Sequence, residues 1–342
     1  DGHVTYDEKN PSKPVVGVSL SGQEVTDASL EHLKNLTDLQ SLTLWDTKVT
    51  DAGLEHLKEL AILQTLNLWD TKVTDSGLVN LKGITFLESL GLDGTQVTDV
   101  GLEHLKGKSL QELSLSRTEV TDAGLVHLKD LTSLRMLNLA HTQVTDAGLV
   151  HLKDLTSLQE LELSDTQVTD AGLEYLEELT SLKYLELSDT KVTGSGLVHL
   201  KELTSLHWLT LRDTKVTDAG LEHLKGLKRL QSLYLNDTQV TDTGLEHLKG
   251  LTSLTGLGLA GTKITDAGLV HLKGLSLRNL NLSVTNVTDA GLIHLKGLTS
   301  LYILEIADTQ VTDAGLIHLR GLTNLGSLYL PRTRVTTVCS DN

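Results

Sequence analysis

One pattern recurs along almost the whole chain, L-x-x-L-x-L-x-x-T-x-V-T-D-x-G-L-x-x-L-x-x-L, and it limits the fold more than any other feature. Copies start at Leu39, Leu63, Leu87, Leu110, Leu134, Leu158, Leu182, Leu206, Leu230, Leu254, Leu277, Leu301 and Leu325. The period is 24 residues, shortened to 23 where GLTSL contracts to GKSL (Gly107 to Leu110) and GLSL (Gly274 to Leu277). A degenerate first copy begins at Val15, with Val18 and Leu20 in leucine slots; this makes fourteen units, the last cut short after Val335. No unit of this size can bury its leucines alone, so neighbours must stack.

The spacing within a unit predicts its local structure. In Leu39-x-x-Leu42-x-Leu44, positions 42 and 44 share one side of a short strand, and 41, 43 and 45 face solvent. Thr47 follows at the strand exit, where its hydroxyl can bond backbone of the turn or of the next coil. Thr50-Asp51 then reads as a helix start, and Leu54, Leu57 and Leu60 turn one helical face inward. Gly53 costs ~1 kcal/mol of helix propensity, yet Gly recurs there in twelve units, with Ser29 in its place in the first. That recurrence predicts a neighbouring backbone passing close by.

Strands stack at ~4.8 Å and helices at ~8–10 Å, so the array is expected to bend with its strands inside. The expected architecture is an α/β solenoid of horseshoe form, with a parallel β-sheet on the concave face and short helices on the convex face. Residues 1–14, with Pro11 and Pro14, are expected to form a lead-in that folds over Val15, Val18 and Leu20. Residues 15–342 are expected to form the repeat domain, of about 14 units of 23–24 residues.

Composition narrows the partner. Hydrophobic residues make up 39% and aromatics only 3%, so the core is Leu and Val and most aromatics are free for other work. With 45 acidic against 29 basic residues the formal charge is −16, which disfavours nucleic acid and anionic membranes. No stretch approaches the ~20 apolar residues of a membrane span. Cys339 is the single cysteine, so no internal disulfide forms. The start at Asp1 rather than Met suggests a trimmed or processed chain, and an extracytoplasmic or cell-surface location with any signal removed is the expectation.

From Val15 to the end these residues resemble the leucine-rich-repeat family. The repeat is similar to the cysteine-containing subtype found beside F-boxes, and to bacterial relatives with T-x-V-T-D-A-G-L repeats; Thr47, Thr71 and Thr95 stand where that subtype has Cys or Asn. The segment Val4-Thr5-Tyr6-Asp7-Glu8-Lys9 is similar to the lead-in of those bacterial proteins, and no F-box is present in the sequence. The resemblance implies a leucine-rich-repeat solenoid that binds a partner, and does not choose the partner.

Three columns of side chains invite chemistry. Eleven histidines from His32 to His318 fall in one helical column, but a column supplies pairs of ligands rather than the three or four a metal needs. The Asp after Thr (Asp27, Asp51, Asp75 and onward) reads as the helix-start residue, with Gly194 its one exception. A second Asp column at the strand exit comprises Asp46, Asp70, Asp165, Asp189, Asp213, Asp237 and Asp308. Like charges that close repel, so an Asx-type turn, a shared cation or a basic ligand group is expected to compensate.

The concave face carries the candidate partner-binding residues, because its side chains are not needed for folding. They are Trp45, Trp69, Glu160, Glu162, Asp165, Tyr184, Glu186, Asp189, Trp208, Arg212, Asp213, Tyr234 and Asp237. Trp45 and Trp69 are expected to lie side by side. No catalytic residues, metal site or cofactor are read from the sequence, which contains no P-loop or Gly-rich phosphate fingerprint. The expected function is a non-enzymatic scaffold or receptor for a protein or peptide, basic in character. The alternatives are a glycan-binding module using the aromatics, and a structural spacer or part of a larger protein. Weak self-association through the C-terminal coil or Cys339 is a further expectation.

Overall fold

The computed structural model describes residues 2–336 of the chain, which fall into two compact units divided between Gln167 and Val168. In the first, β1 (Gly2–Tyr6) runs antiparallel to β2 (Val15–Leu20), with Val4 opposite Val18. Parallel strands follow in sequence order: β3 (Ser41–Thr43), β4 (Thr65–Asn67), β5 (Ser89–Gly91), β6 (Glu112–Ser114), β7 (Met136–Asn138) and β8 (Glu160–Glu162). The second unit continues the pattern with β9 (Tyr184–Glu186), β10 (Trp208–Thr210), β11 (Ser232–Tyr234), β12 (Gly256–Gly258), β13 (Asn279–Asn281), β14 (Ile303–Glu305) and β15 (Ser327–Tyr329), all parallel. Between strands, most repeats place a four-residue α-helix such as Asp51–Leu54, which tightens into a 3-10 turn such as Glu55–Leu57.

The lead-in lies edge to edge against the first coil, with Tyr6, Val4 and Gly2 opposite Val15, Val18 and Leu20. Its β1 side chains all stay exposed, and it satisfies the backbone along the free edge of β2. Val338 and Cys339 lie outside the described residues.

The core is one set of contacts copied many times. Leu39, Leu42, Leu44, Val49, Leu54, Leu57 and Leu60 are each fully buried, as are their counterparts in most units. Each such side chain contributes about 1.5–3 kcal/mol when taken out of water. Each strand-exit Thr from Thr47 to Thr309 is buried, and these close their own turns: Thr71 Oγ1 donates to the Leu68 carbonyl at 2.7 Å, and Thr118 Oγ1 to that of Leu115 at 2.6 Å.

The helix-start Asp column does more than begin a helix. Asp51 Oδ1 accepts from the Thr74 amide at 2.8 Å and its Oδ2 from the Thr74 hydroxyl at 2.7 Å, one unit further on. The same two bonds join Asp75 to Thr98, Asp99 to Thr121 and Asp122 to Thr145 in the first unit. They join Asp170 to Thr193, Asp218 to Thr241 and Asp289 to Thr312 in the second. Thr, rather than Asp, is the N-cap, and Thr145 Oγ1 accepts from the Ala147 amide at 3.2 Å. Burial opposes the charge on Asp170, but bonds from Thr193, Ser195 and the Gly196 amide outweigh it and hold that carboxyl below its ordinary range.

This explains the recurrent glycine. A methyl group on Gly77 would overlap the Asp51 carboxylate, and one on Gly148 would sit 2.5 Å from Asp122 Oδ1. The neighbour that demands glycine is therefore chiefly the carboxylate of the preceding unit, with its backbone behind. The first unit has no Asp before it, and there Ser29 fills the slot and accepts from the Thr26 amide at 3.2 Å. Where Gly194 replaces the Asp, the succession is interrupted. Thr217 receives no carboxylate, and the Gly194 and Gly220 backbones close together in the space left.

Candidate partner-binding surface

The outward strand face of each unit is set by the alternation that buries the leucines, so its residues are free of folding duty. In the second unit the register brings Tyr184 of β9 opposite Trp208 of β10. Their rings stack with centroids 5.7 Å apart and planes 21° apart. Tyr234 of β11 reaches back diagonally to Trp208, with centroids at 4.9 Å and planes tilted 41°. Trp208 Nε1 donates to Thr210 Oγ1 at 2.9 Å, which fixes the indole. Burial pushes the Tyr234 phenol above its ordinary range, against the opposing effects of the Ser232 hydrogen bond and the Arg212 charge. The result is a three-ring ladder, half-buried and rigid.

Charged residues border the ladder. Glu186 Oε1 accepts from the Ser188 amide at 2.9 Å, so this carboxylate is turned toward its own strand exit. Arg212, Asp189, Asp213 and Asp237 are exposed. The three aspartates, like Asp46, Asp70, Asp165 and Asp308, have φ between +50° and +57°. The second Asp column is thus a column of left-handed residues, a conformation in which Asp is among the favoured non-glycine types. Gly94, Arg117, His141, Gly261, Val284 and Arg332 occupy the same slot and conformation. At Asp46, Asp70, Asp165 and Asp308 side chains of other repeats engage the carboxylate. Asp46 Oδ1 accepts from Gln23 at 2.7 Å, Asp70 pairs with Arg117 at 3.4 Å, Asp165 with His141 at 2.8 Å and Asp308 with Arg332 at 3.0 Å. Asn67, Asn138 and Asn281 supply the side chains that accept from an amide two residues on.

In the first unit the candidates do not form one site. Trp45 and Trp69 leave β3 and β4 in equivalent slots and remain 48% and 42% exposed. Among the described ring contacts they do not stack; Trp69 instead lies over Gly91 of β5, where any side chain would overlap its indole. Glu160 and Glu162 belong to β8 and Asp165 follows it, four strands from β4, or roughly 19 Å at ~4.8 Å per strand.

Two features of the exposed faces are absent from the sequence reading. Asp93, 6% exposed after β5, accepts from Ser114 Oγ at 2.7 Å through Oδ1, while its Oδ2 is buried without a partner. Burial pushes its carboxyl up, and the Ser114 bond only partly opposes this. The other is a hollow over β12, whose strand carries Gly256 and Gly258. Glycine inside a strand signals a close approach or a vacant site, and that signal was present in the sequence. Among the described residues no three His, Cys, Asp or Glu side chains converge as metal ligands. No described helix is long and apolar enough to cross a membrane.

Comparison with known proteins agrees with this geometry. One "Leucine rich repeat" family model matches residues 85–144, and another matches 154–176 and 178–201. No curated protein matches the chain. Among solved structures, an internalin (inlF) from Listeria monocytogenes is 25% identical with a TM-score of 0.64, covering 97% of this chain and 88% of that one. A leucine-rich-repeat protein from Leptospira interrogans is 23% identical with a TM-score of 0.64, covering 91% and 83%. A TDR receptor is 16% identical with a TM-score of 0.60, covering 94% and 64%. The fold is that of a leucine-rich-repeat solenoid.

Proposed function

We propose that this protein is a non-enzymatic scaffold or receptor that binds a protein or peptide on the outward strand face of its second unit. The observation that carries the reading is the Tyr184–Trp208–Tyr234 ladder, three aligned rings in a chain that is only 3% aromatic. Rigid, half-buried aromatics amid polar groups are what interface hot spots use, since they bring large contact area at small entropic cost. Glu186, Asp189, Asp213 and Asp237 beside the ladder favour a partner of basic character, with Arg212 anchoring one acidic or carbonyl group of it. The protein-binding role common to this fold supports the same reading.

The test is a binding screen of the purified chain against basic proteins and peptides, followed by Trp208→Ala and by an increase in salt from about 50 to about 500 mM. Trp208→Ala is expected to weaken a true partner by roughly tenfold or more, as removal of a central aromatic anchor does. Salt should weaken it further, because exposed charges are screened. A partner whose affinity ignores Trp208→Ala binds elsewhere, and that result would remove the ladder from the function.

A further inference from the structure

We infer that the second unit also carries a saccharide subsite, a basin over β12 that holds one neutral pyranose residue beside the aromatic ladder. Gly256 and Gly258 of β12 are themselves buried, since Tyr234 and Asn236 lie across Gly258, and the basin opens beside them over Leu257, Leu280 and Ile303. Strand register sets the walls. Gly258 lies between Tyr234 and Asn281, and Gly256 lies between Ser232 and Asn279. One strand further, Asn281 is opposite Glu305. The hollow measures about 300 Å³, and its polar lining is Arg212, Tyr234, Asn236, Asn279, Asn281 and Glu305. That volume falls at the small end of ligand sites and suits a single ring.

The chemistry of the walls selects the ligand. Arg212 and Glu305 on opposite sides offset each other's charge, so the basin favours a neutral guest. Asn279 and Asn281 offer amide groups, and Ile303 is the one outward aliphatic group in the lining. Asn281 is held by accepting from the Ser283 amide at 2.9 Å, and it donates to Glu305 Oε2 at 2.9 Å, which orients the carboxylate. A guest with many hydroxyls, each both donor and acceptor, can meet these groups; an aliphatic side chain cannot. Tyr234 leans over Gly258 and supplies a ring against which the C–H face of a sugar packs.

A further observation points to a missing partner. Asn236 is 7% exposed, lines the basin, and its Oδ1 is buried without any hydrogen-bond partner. Buried polar atoms in native proteins are nearly always satisfied. A guest hydroxyl donated over Gly258, next to which Asn236 Oδ1 lies, completes the set.

Saturation-transfer NMR on the whole chain tests this with the methyl glycosides of glucose, galactose, mannose and N-acetylglucosamine. Each is used at about 20 mM, where a millimolar site is largely filled. N-acetylalanine amide serves as a peptide-like probe. At least one glycoside is expected to give signal, reduced tenfold or more by Asn281→Ala and by Asn279→Trp, whose indole occupies the basin that Asn279 lines. Tyr184→Ala, which does not line the basin, should leave the signal intact; this separates the subsite from the ladder, so either can fail alone. Circular dichroism confirms that the variants fold. Silence from all four glycosides, signal undiminished in both basin variants, or signal from the amide probe alone would overturn the inference.

Discussion

Asp122→Ala should destabilise the protein by about 3 kcal/mol. The substitution deletes two charge-assisted bonds, Oδ1 to the Thr145 amide and Oδ2 to its hydroxyl, at 2.7 and 2.6 Å. Bonds to charged groups are worth roughly 1.5–3 kcal/mol each, and a part-buried amide is left without its acceptor. The space beside Gly148, which the carboxylate fills, also becomes a void. Against these losses stands the relief of desolvating one carboxylate, so the sum falls near the value for one and a half bonds. Asp122→Asn keeps an acceptor and should cost about 1–2 kcal/mol, and Thr145→Val, which keeps the amide but loses the hydroxyl bond and the cap on Ala147, about 2–3 kcal/mol. Urea unfolding followed by circular dichroism gives the midpoint and slope for each. The double variant Asp122→Ala/Thr145→Val isolates the hydroxyl bond by a thermodynamic cycle. A cost below about 1 kcal/mol for Asp122→Ala at unchanged slope would show that the bonds decorate the stack rather than hold it. At Asp170 the folded carboxyl is held low, so its contribution is present above the ordinary carboxylate range and is lost as pH falls through the folded value. The gap between wild type and Asp170→Ala should therefore narrow in acid.

Gly194→Asp should stabilise by about 1 kcal/mol in the same urea assay, by supplying Thr217 with the bonds its counterparts have, less the cost of reopening the gap to Gly220; a lower midpoint would mean that the gap cannot reopen. Asp93 has a raised carboxyl pKa, so its ionisation opposes folding. Asp93→Asn should raise the melting temperature at neutral pH and lose that advantage as pH falls through the folded value, and a gain that persists in acid would contradict this. Val284 holds a β-branched side chain at φ +56° while 57% exposed, so Val284→Asn should stabilise by about 1 kcal/mol, checked by calorimetry against Val287→Ala as a core-disrupting contrast.

The repeat was legible because each unit buries the same leucines at the same spacing, and strand positions 41, 43 and 45 face outward as alternation requires. The forward reach of Asp51 to Thr74 was not, because one unit read alone makes Thr-Asp look like an ordinary helix start. The same limit hid the role of Ser29, whose meaning depends on a neighbour that is missing. The strand-exit Asp column was visible as composition, but its cause is a backbone torsion that Val284 and Arg117 also adopt, which no residue type announces. On the exposed face, Trp208 and Tyr184 were found from register alone. Trp45 and Trp69 were legible as equivalent slots of adjacent strands, but not the way the Trp69 ring covers the bare Gly91. The basin beside β12 was passed over because its lining comes from five successive repeats that share no window of sequence.

The forward direction of the Asp–Thr bonds bears on how such a chain grows. Save at Gly194, the Asp of one repeat hands a carboxylate to its successor and asks nothing back, as from Asp27 onto Thr50 at the front and from Asp313 onto Thr336 at the rear. A whole copied segment of 24 residues inserted at any such step finds a waiting acceptor behind it and a donor ahead. Duplication in frame with the period therefore extends the protein without inventing a new junction, whereas an excision off that frame strands a donor and an acceptor at once. Length is thus a heritable variable that can change separately from the outward side chains that choose a partner.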